Sequence, residues 1–481
     1  MSTRLYLPAL GLLAALCGLS ATAAEPNGAA DAVDPVVLAR IRDGAMQDNW
    51  AYPHLAALTD QIGPRLSGSP GLEAAIQQVA EAMRSVGARV TLQPAKIPHW
   101  VRGAERAELV DYAGRPHGIS PSLHLVALGD SGATPADGLT APVVVVHSVD
   151  ELATTDVRGR IVVINMRFDQ RLADNGYAGE AYGQAGEERF VGPSTAAKRG
   201  ALATLVRSVG DAQYRLPHTG VTEWDAGQTP SPAAALAAED ADLVDRLAAV
   251  GPVSLHLVLT PQRLPDADSD NVIADWVGRE KPNEVVVVGG HLDSWDLGTG
   301  AIDDGVGVMA AAGVIETLSR LGIHPRRTIR MVAFTNEENG GRGGKAYAAG
   351  SAASGVKHVG AIECDMGAGR ALGIQAAVTP ASMASLKAVM KALQPIGASV
   401  LVRREGSVGA DISPLQAAGT PSFAPVLDGR HYFDYHHTAA DTLDKVDPEN
   451  LRSEIAVMAV LAYFLADTPE TIEGVSITSA E

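Results

Sequence analysis

The sequence is poor in cysteine, aromatic side chains and positive charge, and each shortage excludes something. Its 2 cysteines include Cys17 in the apolar N-terminal segment, so removal of that segment leaves only Cys364 and no intramolecular disulfide. The net charge of −18 argues against nucleic acid or an anionic membrane as a partner. The 4% of aromatic residues, beside abundant Ala and Gly, favour helices packed closely on a sheet. A chain of 481 residues without disulfides must then rest on a large hydrophobic core.

Long apolar runs are also lacking after the first residues, which predicts no transmembrane helix. Residues 1–24 have the pattern of a signal peptide: Arg4, an apolar run from Leu5 to Leu19, and small residues before a cleavage site near Ala23/Ala24. A lipoprotein anchor at Cys17 is disfavoured because Leu16 stands where a small residue is expected. The sequence therefore predicts export to the periplasm or the extracellular space.

Several common catalytic patterns are missing. Gly344-Lys345 lacks the Ser or Thr of a phosphate-binding loop, and no Gly-x-Gly-x-x-Gly opens a helix after a strand. There is no Gly-x-Ser-x-Gly nucleophile motif. Cys364 follows an apolar run, which predicts an inert buried thiol rather than a nucleophile.

What the sequence does contain is a series of apolar runs that end in metal-binding side chains. The continuous run Val285 to Val288 is typical of a strand buried on both faces, and His291, Asp293 and Asp303 follow it. Ligands of open α/β sheets bind beyond the carboxyl ends of the strands. Asp293, two residues after His291 on extended chain, is placed to accept the free ring N–H of that histidine.

Three further predicted strands end in the same way. The residues that follow them are Glu337 and Glu338, Asp365, and the pair His436 and His437, with Asp441 four residues after His437 as its predicted carboxylate partner. Each has a simpler explanation by itself: adjacent glutamates are usually solvent-exposed, an aspartate often caps a turn, and a histidine at a strand end is usually hydrogen-bonded structure. All four strand ends carrying such groups by chance is improbable, so the sequence predicts a metal site.

The remaining pattern predicts an α/β fold with an insertion. Residues 25–119 and 263–481 alternate strands and helices, which predicts a mixed, mostly parallel sheet sandwiched by helices. Residues 120–262 have short strands, an Ala-rich helix predicted over Pro232 to Val250, and a polar, Gly-rich loop predicted over Asp169 to Gly192. No ligand cluster is visible in this block, which we interpret as a second, inserted domain.

The motifs GGHLDSWDLGTGAIDDGVGV, FTNEENGGRGG, ECDMG and YHHTAADT, with PRLSGSPG and GADISPLQAAGTP, resemble one family throughout the chain outside the insertion. This family comprises the co-catalytic zinc aminopeptidases related to bacterial leucyl aminopeptidase and glutamate carboxypeptidase. The resemblance implies a zinc exopeptidase fold, an inserted protease-associated domain over residues 120–262 and two Zn²⁺ ions per chain. The nitrogen and oxygen donors also suit Co²⁺ or Mn²⁺.

The resemblance also implies a role for each site residue. Asp303 bridges the two metal ions, Glu337 is the general base, Asp293 and Asp441 support the ligands, and the Asp303–Asp304 peptide is cis. His437 is the expected ligand because it directly precedes Thr438, and the adjacent His436 is the competing candidate. The five implied metal ligands are His291, Asp303, Glu338, Asp365 and His437.

The implied activity is hydrolysis of peptide bonds at free N-termini, by an aminopeptidase or dipeptidase acting on short peptides or dipeptides. The resemblance is also compatible with a homodimer. Two other functions are considered: a non-catalytic binding module on the same fold, which would have lost ligands, and a related glutaminyl cyclase, which would keep a single zinc. The number of zinc ions per chain separates the cyclase from the peptidase.

Overall fold

The computed structural model describes residues 33–210 and 212–477, so the predicted signal peptide lies outside the described residues. Within them, no helix is both long enough and apolar enough to cross a membrane. The strands of this part are β1 (Arg89–Val101), β2 (Glu105–Asp111), β3 (Ser122–Leu123), β4 (Leu125–Ala127), β5 (Leu139–Val146), β6 (Ile161–Ile164), β7 (Ala203–Arg207), β8 (Ala233–Leu236), β9 (Ser254–Leu259), β10 (Gln262–Trp276), β11 (Lys281–His291), β12 (Arg327–Phe334), β13 (Lys357–Glu363), β14 (Ala371–Ala377), β15 (Val400–Arg403) and β16 (Ser422–Leu427).

The α-helices connect these strands, and several begin at a capping side chain. Ser69 accepts a hydrogen bond from the backbone N–H of Leu72, and Asp447 accepts one from Glu449, each just before a proline that opens a helix. The helices of the described residues are α1 (Pro35–Ala45), α2 (Ala51–Ala57), α3 (Pro70–Ser85), α4 (Gln170–Asp174), α5 (Ala178–Phe190), α6 (Gly192–Lys198), α7 (Ala238–Ala248), α8 (Val306–Leu321), α9 (Arg342–Ser354), α10 (Lys387–Leu393), α11 (Ser413–Ala417) and α12 (Pro448–Asp467).

The strands form two mixed sheets, so the predicted α/β class is confirmed. The first has the order β1-β10-β12-β11-β13-β16-β14-β15, and its central strands β12, β11, β13 and β16 are parallel. The second has the order β3-β2-β9-β5-β6-β7-β8-β4, with β5 to β8 parallel. Three of the four edge strands, β1, β3 and β4, pair antiparallel with their neighbours, and β15 pairs parallel with β14.

Strand β11 is buried on both faces, as its apolar run predicts. Val286 and Val288 point into the core formed with α1, α3, α8 and α12, whereas Val285 and Val287 point into a smaller core beside α9 and α11. Successive side chains of a strand face opposite sides of the sheet, so a strand covered by helices on both sides needs apolar residues at every position. Burying each valine contributes about 1.5–3 kcal/mol.

The second sheet takes its strands from the chain between β1 and β10. These two strands pair antiparallel from Arg89↔Asp275 to Val101↔Gln262, so the chain leaves the first sheet and returns to it at adjacent positions. The side chains on one face of the second sheet pack in an apolar core that is separate from those of the first sheet. The predicted domain limits at 120 and 262, and the assignment to a protease-associated domain, stay predictions.

Two local predictions in this block are wrong. Ala233–Leu236, predicted as the start of a helix, is the strand β8, which pairs with β7 and β4 and is fully buried. Pairing on both edges outweighs the helix propensity of alanine, and the helix begins only at Ala238. The predicted loop over Asp169 to Gly192 contains α4 and α5, and α5 buries Ala178, Ala181 and Ala185 along one face.

Candidate metal and active site

The carboxyl ends of β11, β12 and β13 meet at one edge of the first sheet because the three strands are parallel. His291 is the last residue of β11, Glu337 and Glu338 follow β12, and Asp365 follows β13. His437 lies in the loop after β16, the next strand of the sheet. The strand ends that the sequence marked with metal-binding side chains therefore converge.

Asp303 lies at the centre and presents one carboxylate oxygen to each side. Its Oδ1 lies 3.2 Å from His291 Nε2, which is also 3.5 Å from Asp365 Oδ1. Its Oδ2 lies 3.1 Å from His437 Nε2, which is also 3.0 Å from Glu338 Oε2. The result is two three-residue sets that share Asp303, and in each set the candidate ligand atoms lie within 4.8 Å of one another.

The donor set fits divalent cations such as zinc. Each set combines one imidazole with two carboxylates, which are donors that zinc accepts. Glu338 is 6% exposed, yet its Oε1 has no hydrogen-bond partner among the described residues. A buried carboxylate oxygen without a partner is costly, and a bound cation would satisfy it.

The imidazoles and carboxylates stabilise each other's charged forms. Burial by itself lowers the pKa of His291, but the neighbouring Asp365 and Asp303 outweigh it and hold that pKa well above its usual range. Burial by itself raises the pKa of Asp303, but the surrounding histidines outweigh it and hold that pKa well below its usual range. The pocket thus contains charged carboxylates and imidazoles that are buried from solvent and stabilise one another.

Glu337 differs from its neighbour Glu338 because it belongs to neither three-residue set. It lines a cavity of about 660 Å³, whose wall also includes Asp303, Glu338, Asp365 and His437. Burial raises the pKa of Glu337 well above its usual value, and nearby His291 offsets only part of the effect. A carboxylate in this environment is a stronger base than one in water.

Asp293 lies at the site, but its carboxylate does not accept the hydrogen bond of the histidine ring as the sequence suggested. The backbone carbonyl of Asp293 is 2.9 Å from His291 Nδ1, whereas the carboxylate is 3.9 Å away. The carboxylate instead accepts hydrogen bonds from the backbone N–H groups of Glu337 at 3.0 Å and Glu338 at 3.4 Å, and from the Ser67 hydroxyl at 2.8 Å. Asp293 therefore fixes the turn that carries both glutamates.

Asp441 accepts hydrogen bonds from a second turn, the one that precedes Asp303, and not from His437. Its Oδ1 accepts hydrogen bonds from the backbone N–H groups of Ala301 at 2.7 Å and Ile302 at 2.8 Å, directly before Asp303. The peptide bond that follows, Asp303–Asp304, is cis as the family resemblance implied. The predicted contact of Asp441 with His437 is absent among the described hydrogen bonds, because that imidazole is held from elsewhere.

The PRLSGSPG segment reaches the same loop from the N-terminal side. Arg65 is fully buried and donates hydrogen bonds to the carbonyl oxygens of Leu292 at 2.6 Å, Thr299 at 2.7 Å and Gly300 at 2.8 Å. A guanidinium has enough donors to hold several carbonyls in a fixed arrangement. It ties the end of β11 to the turn that contains Asp303.

Several residues at the site come from the second sheet and its connections, where the sequence gave no ligand signal. The Thr219 carbonyl oxygen lies 3.2 Å from His437 Nδ1, and Arg189 Nη1 donates to the same oxygen at 3.2 Å. His218 Nε2 lies 2.9 Å from His436 Nδ1. His218 stands in an unremarkable Pro-His-Thr-Gly segment, and Arg189 has no motif around it, so only the fold reveals these contacts.

The two adjacent histidines take different positions. His437 contacts both Asp303 and Glu338, whereas His436 Nε2 lies 3.4 Å from Asp303 Oδ2 and its ring stacks on His437 with centroids 3.6 Å apart. His436 also belongs to a third set of neighbouring donors, with His218 and His437.

The structure agrees with the prediction that Cys364 is an inert buried thiol, since burial raises its pKa well above the usual value.

Comparison with known proteins now identifies the family. The model of Peptidase family M28 matches residues 271–462. Carboxypeptidase Q of Homo sapiens is 37% identical over 432 residues, covering 88% of this chain and 87% of that protein, and Carboxypeptidase Q of Bos taurus is 36% identical over 431 residues, covering the same shares. The chain belongs to peptidase family M28. The resemblance inferred from the motifs is confirmed, and this M28 chain is a peptide hydrolase of a zinc exopeptidase family.

Solved structures agree with this assignment. A peptidase M28 precursor from Shewanella amazonensis superimposes with a TM-score of 0.86 at 35% identity, covering 92% of this chain and 99% of that one. An aminopeptidase from Aneurinibacillus has a TM-score of 0.62 at 21% identity, covering 90% of this chain and 97% of its own. A zinc aminopeptidase from Bacillus subtilis has a TM-score of 0.60 at 20% identity, covering 88% and 98%. The last two show a shared fold.

Proposed function

We propose that this M28 chain is an exported dinuclear zinc exopeptidase that hydrolyses the peptide bond next to a free N-terminus, as an aminopeptidase or dipeptidase. One observation carries the proposal: the two oxygens of Asp303 face two separate sets of nitrogen and oxygen donors. His291 and Asp365 would hold one zinc ion with Asp303, and Glu338 and His437 would hold the other. Zinc is favoured by the zinc aminopeptidase of the same fold.

The chain's own residues supply the proton transfer. When bound, the zinc ions lower the pKa of water and polarise the scissile carbonyl. Glu337 accepts the proton of the attacking water and delivers it to the amine that leaves, so its carboxylate has to stay free of metal and face the cavity. Asp293 keeps Glu337 in place through its backbone N–H.

The other two functions considered predict different contents of the site. A non-catalytic binding module has no need for a free glutamate beside a complete donor set, and both are present. A glutaminyl cyclase with one zinc has no need for the second set. We therefore retain the peptidase as the proposed function, with Co²⁺ or Mn²⁺ as substitutes for zinc.

The experiment combines metal counting with a peptide digest. The exported protein, equilibrated with zinc and freed of excess metal, is expected to hold about two zinc ions per chain. A defined mixture of dipeptides and longer peptides is then digested and the products identified by mass. Release of N-terminal residues supports the proposal. A single zinc with cyclisation of N-terminal glutamine, or two zinc ions with no hydrolysis of any peptide, contradicts it.

Whether His436 or His437 binds the metal is tested in the same assay. His437→Ala is expected to leave about one zinc ion per chain, because it removes the imidazole that contacts both Asp303 and Glu338. His436→Ala is the matched control and is expected to keep about two. The reverse pattern would make His436 the ligand.

A further inference from the structure

Arg189, at the end of α5, is a buried cation at the wall of the same cavity. Its side chain is 2% exposed, and its guanidinium lies over the rings of Phe190 at 4.6 Å and Tyr182 at 5.4 Å. Its Nη1 donates to the Thr219 carbonyl at 3.2 Å and lies 3.5 Å from His437 Nδ1. Both rings and the carbonyl belong to the part of the chain that forms the second sheet, so this region holds the positively charged guanidinium in a fixed position.

Arg189 has no carboxylate partner among residues 33–210 and 212–477, and its Nε is buried without a hydrogen-bond partner. A buried guanidinium normally pairs with a carboxylate, often through two parallel hydrogen bonds, because an unpaired buried charge is costly. Arg189 therefore lines the cavity that receives the substrate without a carboxylate partner of its own.

The position of Arg189 relative to the metal site fits a specific part of a substrate. One imidazole ring separates them: His437 Nδ1 faces Arg189, and His437 Nε2 lies 3.1 Å from Asp303 Oδ2. In a dipeptide the free carboxylate carbon is three bonds from the carbonyl carbon that is attacked, a distance of less than about 4 Å. Asp303, His437 and Arg189 line the same cavity, so a dipeptide whose carbonyl lies beside Asp303 would extend its terminal carboxylate past His437 towards Arg189.

We propose that Arg189 binds the free carboxylate of a dipeptide substrate and so selects dipeptides over longer chains. The proposal rests on the proposed exopeptidase function and adds to it the residue that reads the second end of the substrate. The amino end and the scissile carbonyl would then lie at the zinc site around Asp303, and the free carboxylate would lie at the cationic side formed by Arg189. A longer peptide would place an uncharged amide at Arg189 and leave the cation unpaired.

The first test uses the wild-type zinc-loaded enzyme and two matched substrates. Alanyl-leucine and alanyl-leucinamide differ only in the charge of the terminal group, and a small panel of other dipeptides with their amides covers side-chain preference. A charge-assisted hydrogen-bonded pair predicts that the free acids have kcat/KM values about 10- to 100-fold higher than those of the amides. Equal rates for acids and amides would overturn the role of Arg189 and leave the exopeptidase function intact.

The second test asks whether Arg189 causes that preference. Arg189→Gln is expected to lose the advantage of the acids, so that the ratio of the kcat/KM values of acid and amide falls to about 1, since the lost pair is made only by the carboxylate. Any weakening of the metal site through the Thr219 carbonyl lowers the rates of acids and amides by the same factor and does not change this ratio. Arg189→Lys is expected to be intermediate, because it keeps the charge without the planar fork. Zinc content and the unfolding temperature are measured for each variant.

Lys345 provides the control for a general loss of positive charge. It lines the same cavity, but it is exposed and its Nζ donates to the Gly340 carbonyl at 3.2 Å. Lys345→Gln is expected to keep the preference for acids. Equal losses for acids and amides in Arg189→Gln would mean that Arg189 only balances the buried carboxylates, and would overturn the proposal. Failure of the wild type to hydrolyse either kind of substrate would contradict the proposed function itself.

Discussion

His291 and His437 both point Nε2 at Asp303, yet different parts of the molecule orient their rings. His291 Nδ1 lies 2.9 Å from the carbonyl of Asp293, two residues further along the chain. His437 Nδ1 lies 3.2 Å from the carbonyl of Thr219, which is 218 residues away and belongs to the region of the second sheet. A carbonyl at Nδ1 fixes the tautomer that leaves Nε2 free for a metal ion.

The difference shows how the two halves of the site depend on the rest of the fold. The His291 half is built from neighbouring parallel strands and would persist as long as the first sheet is intact. The His437 half needs the second sheet to be docked correctly, because Thr219, His218 and Arg189 all reach it from there. Changes in the second sheet should therefore affect one half of the site more than the other.

The largest effect is expected from a change that removes the residue common to both halves. Asp303→Asn leaves neither set with its full charge, because Asp303 lies 3.2 Å from His291 and 3.1 Å from His437. We expect kcat/KM to fall by more than about 10³-fold, since metal ions contribute several kcal/mol to such reactions. Zinc content should fall in parallel. A variant that keeps both zinc ions and most of its activity would show that Asp303 bridges nothing.

Glu337→Gln is expected to have the next largest effect and to separate chemistry from metal binding. The amide keeps the shape of the side chain but cannot accept a proton, so kcat should fall by about 10²- to 10⁴-fold. Zinc content should stay at the wild-type value because Glu337 belongs to neither donor set. Steady-state kinetics and elemental analysis measure the two quantities, and native activity in this variant would assign the base elsewhere.

A substitution in the second sheet's region should weaken the His437 half selectively. A Cβ at Gly220 would lie 2.3 Å from Arg189 Nη1, and its φ of 136° is unfavourable for other residues, so Gly220→Ala should displace the adjacent Thr219 carbonyl. Loss of such an orienting contact typically weakens metal affinity by about 10- to 100-fold. Competition with a chelator should then show one zinc ion weakened and the other unchanged.

Gly183→Ala is the control for this experiment. Gly183 lies in the same helix as Arg189, and a Cβ there meets nothing within 4 Å. Both zinc affinities should equal those of the wild type. If Gly220→Ala lowered the affinity for both zinc ions equally, the two halves of the site would be coupled, and the proposed difference between them would be wrong.

The smallest effect is expected at His358, which belongs to neither half and whose Nε2 lies 3.0 Å from the Tyr347 hydroxyl. Burial, with a smaller contribution from Arg330, lowers the pKa of His358 to about 4. The unfolded chain binds a proton near the ordinary pKa of about 6.5, whereas the folded protein does not until pH falls to the lower value. His358 therefore reduces stability as pH falls through this range.

His358→Gln should lose less stability than the wild type between pH 7 and pH 4.5. Thermal unfolding at both pH values measures the difference, and the comparison of the two proteins cancels the effect of acid on the metal site. A small loss at pH 7, from the weakened hydrogen bond to Tyr347, is expected at about 1 kcal/mol. Parallel decreases in the two proteins would show that His358 is protonated normally in the fold.

Much of the first sheet was predictable because its signals are local. The buried run Val285–Val288, the strand ends and the residues after them follow from the periodicity of apolar positions and the rule that ligands bind at the carboxyl ends of parallel strands. Asp293 and Asp441 were placed at the site, but their partners were not predicted correctly, since a carboxylate can accept from any nearby backbone N–H. That choice depends on loop paths which the sequence does not show.

The α/β class, the strand ends at which the acidic and imidazole side chains converge, and the family could all be predicted from the sequence, because strand periodicity and motif residues are properties of short segments. Tertiary structure alone decided that Ala233–Leu236 is a strand, that the Thr219 carbonyl orients His437, and that Arg189 enters the cavity uncompensated. Pairing and contacts between residues far apart in the chain, which outweigh local propensity once the core forms, are the reason.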